Sequence, residues 1–297
     1  MPILETNKIF KTQLSSKAKR LTQEEIDAVK NITLEIACDV AAVCEENKIP
    51  YMLGGGSALG AVRHHGFIPW DDDLDFNVPR RYIDPLLDEM QRRYGDKYYI
   101  EAPLRTEGYL SSFVQIHKNG TIFREFQAQR EDRCGVKVDI FPIENTYDNP
   151  VKRKLHGILS ELGLLILSCY RMYAWREEFL ALADGNTKAR LVFRMKGFLG
   201  MLAAPAHRFW YEKIQKCMMR CKDENSGYVV VPSGRKHFFG ELYRRESFLK
   251  TVPMKFEDRM FPVTGDYDHY LKNLYGDYRK LPPEEQREHH VVYKLKL

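Results

Sequence analysis

Four carboxylates crowd into five positions of the chain: Asp71, Asp72, Asp73 and Asp75. So close together they repel one another unless water or a cation separates them. Asp73 and Asp75, two apart in an extended segment, put oxygen donors on one side, which suits a hard divalent cation such as Mg²⁺. Three readings compete. A calcium loop with ligands at 71, 73 and 75 needs glycine at its sixth position and glutamate at its twelfth, where this chain has Phe76 and Tyr82. That reading fails. A solvated acidic turn is the plain alternative, but Leu74, Phe76 and Val78 alternate with the acids as in a strand with one buried face. The third reading, a strand that holds its acids in place for a metal, is the one retained.

A glycine run, Gly54, Gly55 and Gly56, precedes the cluster and leads into Ser57. A P-loop is excluded because Ala61 and Val62 stand where lysine and a hydroxyl residue are required. A dinucleotide fingerprint is excluded because Leu59 occupies the third glycine position. What remains is a glycine-serine turn opening a helix, whose backbone N–H groups can hold phosphate oxygens, although a plain tight turn explains three glycines about as well. Further on, Val136, Val138 and Ile140 alternate with Lys137 and Asp139, so another strand carries one more acid on its polar face. A phosphate-holding turn beside converging carboxylates is what phosphoryl or nucleotidyl transfer requires, with metal ions bridging carboxylate and phosphate.

The elements that must position these groups read as follows. Thr22 and Glu25 form a capping box ahead of Ile26, Val29, Ile32, Ile36, Val40 and Val43, predicting a helix to about Asn47. Tyr51 to Leu53 reads as a short strand, the segment after the glycines as a helix, and 81–94 as another helix. Segments 112–118 and 121–126 flank Asn119-Gly120 and predict a β-hairpin. From Pro150 the pattern is helical over roughly 150–182, 187–203 and 206–224, before a strand at 227–233 and one short helix near the end. The expected fold class is α/β (α+β), with a catalytic core over 1–148, a mainly helical region over 149–226, and a segment over 227–297 packing back on the core.

At 297 residues, with 44% hydrophobic and 29% charged, the chain is long enough for one large domain or two small ones and is ordinary globular material. The 46 basic against 41 acidic residues give a net charge of +5, too mild for a nucleic-acid footprint, so no nucleic acid is expected as partner. The six cysteines include no C-x-x-C pair, and the start has no apolar stretch of signal-peptide length. A reducing, cytoplasmic location is expected. Cys217 and Cys221, one helical turn apart, are read as helix-face packing rather than a zinc pair.

The block LGGGSALGAVRHHGFIPWDDDLDFNV at 53–78 resembles the signature of the LicD family, VDIFPI at 138–143 its second block, and YDHYLKNLYGDYRKLPPE at 267–284 its third. The resemblance implies a core similar to nucleotidyltransferases of the polymerase β type. It also implies transfer of a substituted phosphate, phosphocholine-like or a polyol or sugar phosphate, from a CDP-activated donor to a hydroxyl of a cell-surface glycan such as teichoic acid or lipopolysaccharide, free or lipid-linked. Carried over, the metal carboxylates fall on Asp73 and Asp75, with Asp139 as third ligand or as base, and the cofactor is Mg²⁺ or Mn²⁺. Gly55, Gly56 and Ser57 match the donor-phosphate turn, and Asp71 matches the first acid of the block, as an outer ligand or hydrogen-bond acceptor. The cysteine zinc site of the animal members has no counterpart. Two alternatives stay open: a nucleotidyltransferase that attaches NMP, and a non-catalytic glycan-binding relative.

Arg63 is expected to touch donor phosphate, and His64 to support it or to protonate the leaving group. Lys118 and Lys137 read as ordinary solvated strand lysines, and His289 and His290 carry no assignment. Trp70 with the tyrosines at 267, 270, 275 and 278 can build a box for a quaternary ammonium, though core packing is the commoner use of such residues. Between 188 and 213 six basic residues, Lys188, Arg190, Arg194, Lys196, Arg208 and Lys213, stand against the single acid Glu212 among apolar runs. That composition predicts peripheral contact with an anionic membrane surface, at the inner face of the plasma membrane; a core helix with a basic outer face is the alternative.

Overall fold

A computed structural model describes residues 19, 21–125, 133–183, 187–284, 287 and 292–297. Helix α1 (Gln23–Glu46) starts where the capping box places it: Thr22 Oγ1 accepts the Glu25 N–H at 3.2 Å, and Glu25 returns an acceptor to the Thr22 N–H at 3.0 Å. Strand β1 (Met52–Leu53) feeds helix α2 (Gly55–His64), and β2 (Asp75–Pro79) follows the acidic loop. A 3₁₀ turn (Arg80–Tyr82) leads to α3 (Ile83–Tyr94) and then to β3 (Tyr98–Glu101), β4 (Val114–Lys118), β5 (Ile122–Glu125) and β6 (Lys137–Thr146).

The main sheet runs β1-β2-β6-β4-β3, with β2 and β6 parallel and the other pairs antiparallel. The far half of β6 also pairs with β7 (Tyr228–Val230), which pairs with β8 (Leu242–Arg244). Leu74, Phe76, Val78, Val114, Ile116, Val138 and Ile140 are all fully buried on one face, against the inner residues of α1 and α3. The opposite face carries the polar residues of the same strands, the separation that side-chain alternation demands.

The hairpin expected at Asn119-Gly120 does not form. The turn is present, with Gly120 at φ +80, but both edges of β4 are taken by β3 and β6, so β5 pairs instead with β11 (Val292–Lys296). Local turn chemistry bends the chain, and the buried edges of the central sheet decide which strands then pair.

Four helices follow, α4 (Pro150–Ala174), α5 (Arg176–Leu182), α6 (Thr187–Ala203) and α7 (His207–Met218). Helix α6 lies so close to α4 that a Cβ at Gly200 would sit 2.0 Å from the Cys169 carbonyl oxygen. Helix α7 ends at Met218, short of the expected extent, so Cys217 and Cys221 do not share a helix face; all six cysteines are free thiols. Tyr211 and Gln215 of α7 bond Ser111 O and Ser112 Oγ, tying the helical region to the loop before β4.

The chain then returns through α8 (His237–Gly240), α9 (Arg245–Leu249), the hairpin β9 (Thr251–Phe256) and β10 (Arg259–Thr264), and α10 (Tyr267–Tyr275). Phe256, Phe261, Tyr270 and Leu274 join the same core as the sheet.

Glu241, 2% exposed, accepts the Lys236 N–H at 2.9 Å, and burial pushes its carboxyl up to about 7. Between the ordinary carboxylate range and pH 7 the unfolded chain gives up this proton before the folded one. Folding therefore loses stability as pH rises through that window, by on the order of 2–3 kcal/mol. Glu241→Gln should remove the loss: the melting temperature of the variant relative to the parent is expected to rise from pH 5 to pH 8, and a pH-independent difference would contradict this.

Candidate active site

Asp75 and Asp139 are direct neighbours across the parallel β2–β6 pair. Asp139 faces Gln115 on β4, and Gln115 faces Glu101 on β3. In-register residues share a face, so these four side chains form one row across four strands, on the side away from the apolar layer. A second row runs Lys137, His117, Tyr99. Asp73 belongs beside it: the Asp139 N–H still bonds Leu74 O at 3.1 Å, and Asp73 lines the same cavity as Asp139 and Lys137. That cavity holds about 230 Å³ and is roofed by Arg171 and Trp175 from the end of α4.

Burial pushes the Asp139 carboxyl up; Lys137 beside it and the Gln115 amide, at 3.0 Å, pull it partway back, while Glu125 and Asp73 oppose them. Burial disfavours the Lys137 ammonium, but Glu125, Asp139 and Asp73 outweigh it, so the amine stays protonated above its ordinary range. Lys137 ion-pairs with Glu125 of β5. It is part of the site and not the ordinary solvated lysine expected from its strand. Lys118 lies on the other face and pairs with Glu35 of α1 at 3.0 Å.

The glycine turn is built into the same structure. Helix α2 begins at Gly55, so Ser57 is already inside it; it is buried, and its Oγ accepts the Asp75 N–H at 2.8 Å. The Gly54 N–H donates to Asp75 O at 2.9 Å and the Gly55 N–H to the Tyr270 hydroxyl at 2.9 Å. Gly55 has φ +44, a left-handed conformation suited to glycine. A Cβ there would stand 3.1 Å from Asp75 Oδ2, and one at Gly56 would stand 2.9 Å from Asp71 Oδ2. The small residues let two carboxylates approach the positive end of a helix, and the Ser57 and Gly55 groups expected at donor phosphate make bonds within the protein.

Arg63 and His64 lie at the opposite end of α2. The Arg63 guanidinium donates to the carbonyls of Tyr278 at 2.7 Å and Lys280 at 3.3 Å and to His64 Nε2 at 2.9 Å. It tethers the C-terminal loop from the end of α2 away from the glycine turn. Burial and the neighbouring Arg63 push His64 down, so with Nε2 accepting it is a neutral ring packed edge-on to Trp70, unsuited to protonating a leaving group. Tyr270 and Tyr278 are buried in the core, and Arg287 lies over the Trp70 ring at 4.5 Å; these aromatics pack rather than form an open box. His289 and His290 lie outside the described residues.

Among the described residues no three His, Cys, Asp or Glu side chains are gathered into a ready metal cage. The donor chemistry nevertheless fits a hard divalent cation: Asp75 and Asp139 stand on adjacent strands and Asp73 in the loop just before the first of them, and a cation there would favour the ionised Asp139. Sequence reading missed Gln115, Glu101 and Arg171. Gln115 had a signal in the alternation of Gln115 and His117 with buried Val114 and Ile116; Glu101 and Arg171 had none.

Residues 48–156 match the family model described as LicD/FKTN/FKRP, nucleotidyltransferase domain. The chain is also 28% identical over 283 residues, 92% of its length and 97% of the relative's, to the lipopolysaccharide cholinephosphotransferase LicD of Haemophilus influenzae. Over these residues the chain is similar to the LicD family. The segment matched by the LicD model contains the glycine turn, the acidic loop and both rows of the polar face, while Arg171 and Trp175 fall beyond it. Shorter matches join it to an uncharacterized protein of Rickettsia prowazekii, 36% identical over 20% of this chain and 23% of that one, and to another of Rickettsia typhi, 48% identical over 14% and 13%.

Proposed function

We propose that this chain is a metal-dependent phosphotransferase that moves a substituted phosphate from a CDP-activated donor to a hydroxyl of a cell-surface glycan, on a nucleotidyltransferase-like core. The observation that carries the reading is the register of Asp75 against Asp139, which brings acids from two distant segments to one point. The relative's name, a lipopolysaccharide cholinephosphotransferase, supports the reaction class and a glycan acceptor. Asp73, Asp75 and Asp139 would hold Mg²⁺ or Mn²⁺, which neutralises phosphate charge and orients in-line attack. Asp139, hydrogen-bonded to Gln115, would serve either as the third ligand or as the base that takes the acceptor's proton; its raised carboxyl supports the second role. The acceptor oxygen forms its bond to the donor's distal phosphorus as the bond to CMP breaks, and CMP leaves. Lys137 holds a positive charge beside the acids. Thermal-shift assays with CDP-linked and other nucleotide-linked compounds in the presence of Mg²⁺ test this: stabilisation by CDP-linked compounds is expected, and indifference to all of them would overturn it.

We also propose that helix α6 lies on an anionic bilayer surface. Its inner residues pack on α4, but Leu191, Met195, Phe198 and Leu202, at helical spacing on the outer side, are 61%, 59%, 61% and 65% exposed. Arg190, Arg194 and Lys188 flank this stripe, and the helix contains no acid. Phe209 and Trp210 extend the exposed apolar surface onto α7. No helix among the described residues is long and apolar enough to cross a membrane, so the apolar stripe fits burial along the interface. Co-sedimentation with phosphatidylglycerol vesicles at low salt is expected, weakened about tenfold or more by Phe198→Glu with Leu202→Glu. Absence of vesicle binding, or a dimer that the same pair of substitutions dissolves, would contradict it.

A further inference from the structure

The cavity over the polar face is lined by a positive charge that no hydrogen bond or ion pair with another described residue balances. Arg171 and Trp175, four residues apart at the end of α4, both line it. Burial pushes the Arg171 guanidinium down from its ordinary range, and among the described residues the Tyr109 hydroxyl acts on it in the other direction. No hydrogen bond or ion pair to another described residue engages this guanidinium, whereas the cavity's other half-buried cation, Lys137, has Glu125. Asp73 and Asp139 line the same cavity. A half-buried guanidinium facing a cavity, with no partner among the described residues, is free to meet an anion there. The charge-helix reading, a basic residue placed to complement the negative end of α4, does not account for it, because the side chain bonds none of the final carbonyls.

We infer that Arg171 is the binding residue for a phosphate group in this cavity, presented from the helical region against the carboxylate row of the sheet. Its planar fork matches two phosphate oxygens. The exposed Arg133 stands at the rim of the same cavity, and Tyr109 and Trp175 leave an apolar wall beside the bound group. A substrate phosphate would then lie between the guanidinium and the acids, with its organic substituent against the aromatic wall. Identification of this phosphate as the one being transferred rests on the phosphotransferase reading; the anion site itself does not.

Calorimetric titration of the full chain with inorganic phosphate in Mg²⁺ tests the assignment. Saturable binding is expected in the parent, weakened about tenfold or more in Arg171→Met and less in Arg171→Lys, which keeps charge without the fork. Removing this cavity-lining charge should leave the melting temperature of Arg171→Met unchanged or higher; should that variant fail to fold, Arg171→Gln and Arg171→Lys carry the same comparison. Equal phosphate affinity in parent and variants, or no saturable binding in the parent, overturns the site. If phosphate binding depends on Arg171 but CDP-linked compounds neither bind nor react, the transferase reading falls and the anion site stands. If donors turn over equally in parent and Arg171→Met, this assignment falls and the transferase reading stands.

Discussion

Asp75→Asn and Asp139→Asn are each expected to lower turnover by about three orders of magnitude while leaving the melting temperature unchanged or raised. The size follows from what removal of one charged or hydrogen-bonding group at a reacting phosphate or oxyanion typically costs, about 10²–10³, with loss of metal affinity added. The stability half follows from the site's own electrostatics. Asp139 is a buried carboxyl raised by desolvation and by the acids near it, so a neutral amide of the same shape removes repulsion. An asparagine there can still accept the Gln115 amide, which now bonds Asp139 Oδ1 at 3.0 Å. Asp75 is anchored through its backbone, to Ser57 Oγ and to the Gly54 N–H, so the strand keeps its place when the carboxylate goes. Asp73→Asn should behave in the same way. Transfer rates with nucleotide-linked donors, read beside thermal melts, check all three; full activity in any one removes that residue from the reaction.

The largest stability effect is expected at Arg80. Glu144, 2% exposed on β6, has the Arg80 Nε at 2.7 Å and a second guanidinium nitrogen on the same Oε1. It sits where β6 passes from its β2 pairing to its β7 pairing, at the register Glu144 to Val230. Arg80→Met leaves a buried carboxylate unpaired, which costs about 3–5 kcal/mol. Replacing both partners, Arg80→Met with Glu144→Met, should recover most of that loss, because two apolar side chains need no partner. Urea denaturation of the parent, the single and the double variant measures it. A single-variant loss under about 1 kcal/mol would mean that the pair is effectively solvated.

Much of the site was legible because its signals are local. The capping box, the alternation around Asp75, and that around Asp139 each follow from a few neighbouring residues, and the structure has the helix and strands they imply, although β2 starts at Asp75 and leaves Asp73 in the loop before it. What the sequence hid depends on distant partners. Nothing near 122–125 says that its strand pairs with 292–296 rather than with β4. The β9–β10 hairpin turns at Glu257-Asp258, with Glu257 at φ +54, and lacks the Asn-Gly or Asp-Gly pair that marks such turns. That glutamate also accepts the Phe67 N–H at 2.9 Å, so the turn is held by the loop it covers. Arg63 misled because a basic residue near a glycine turn in sequence ends up at the far end of the intervening helix, bonded to carbonyls more than two hundred residues away in sequence. Arg171 was silent for the converse reason: a basic residue in the last turn of a helix is ordinary, and only the packing of the protein turns it toward the cavity that Asp73 and Asp139 also line.

Mass analysis of the glycan acceptor after incubation with a CDP-linked donor, Mg²⁺ and the full chain tests the account most directly. The account predicts that the acceptor gains the donor's substituted phosphate and that free CMP appears in equal amount, with neither change in Asp139→Asn. An acceptor that instead gains CMP, or an intact donor after prolonged incubation with a range of acceptors, would contradict it.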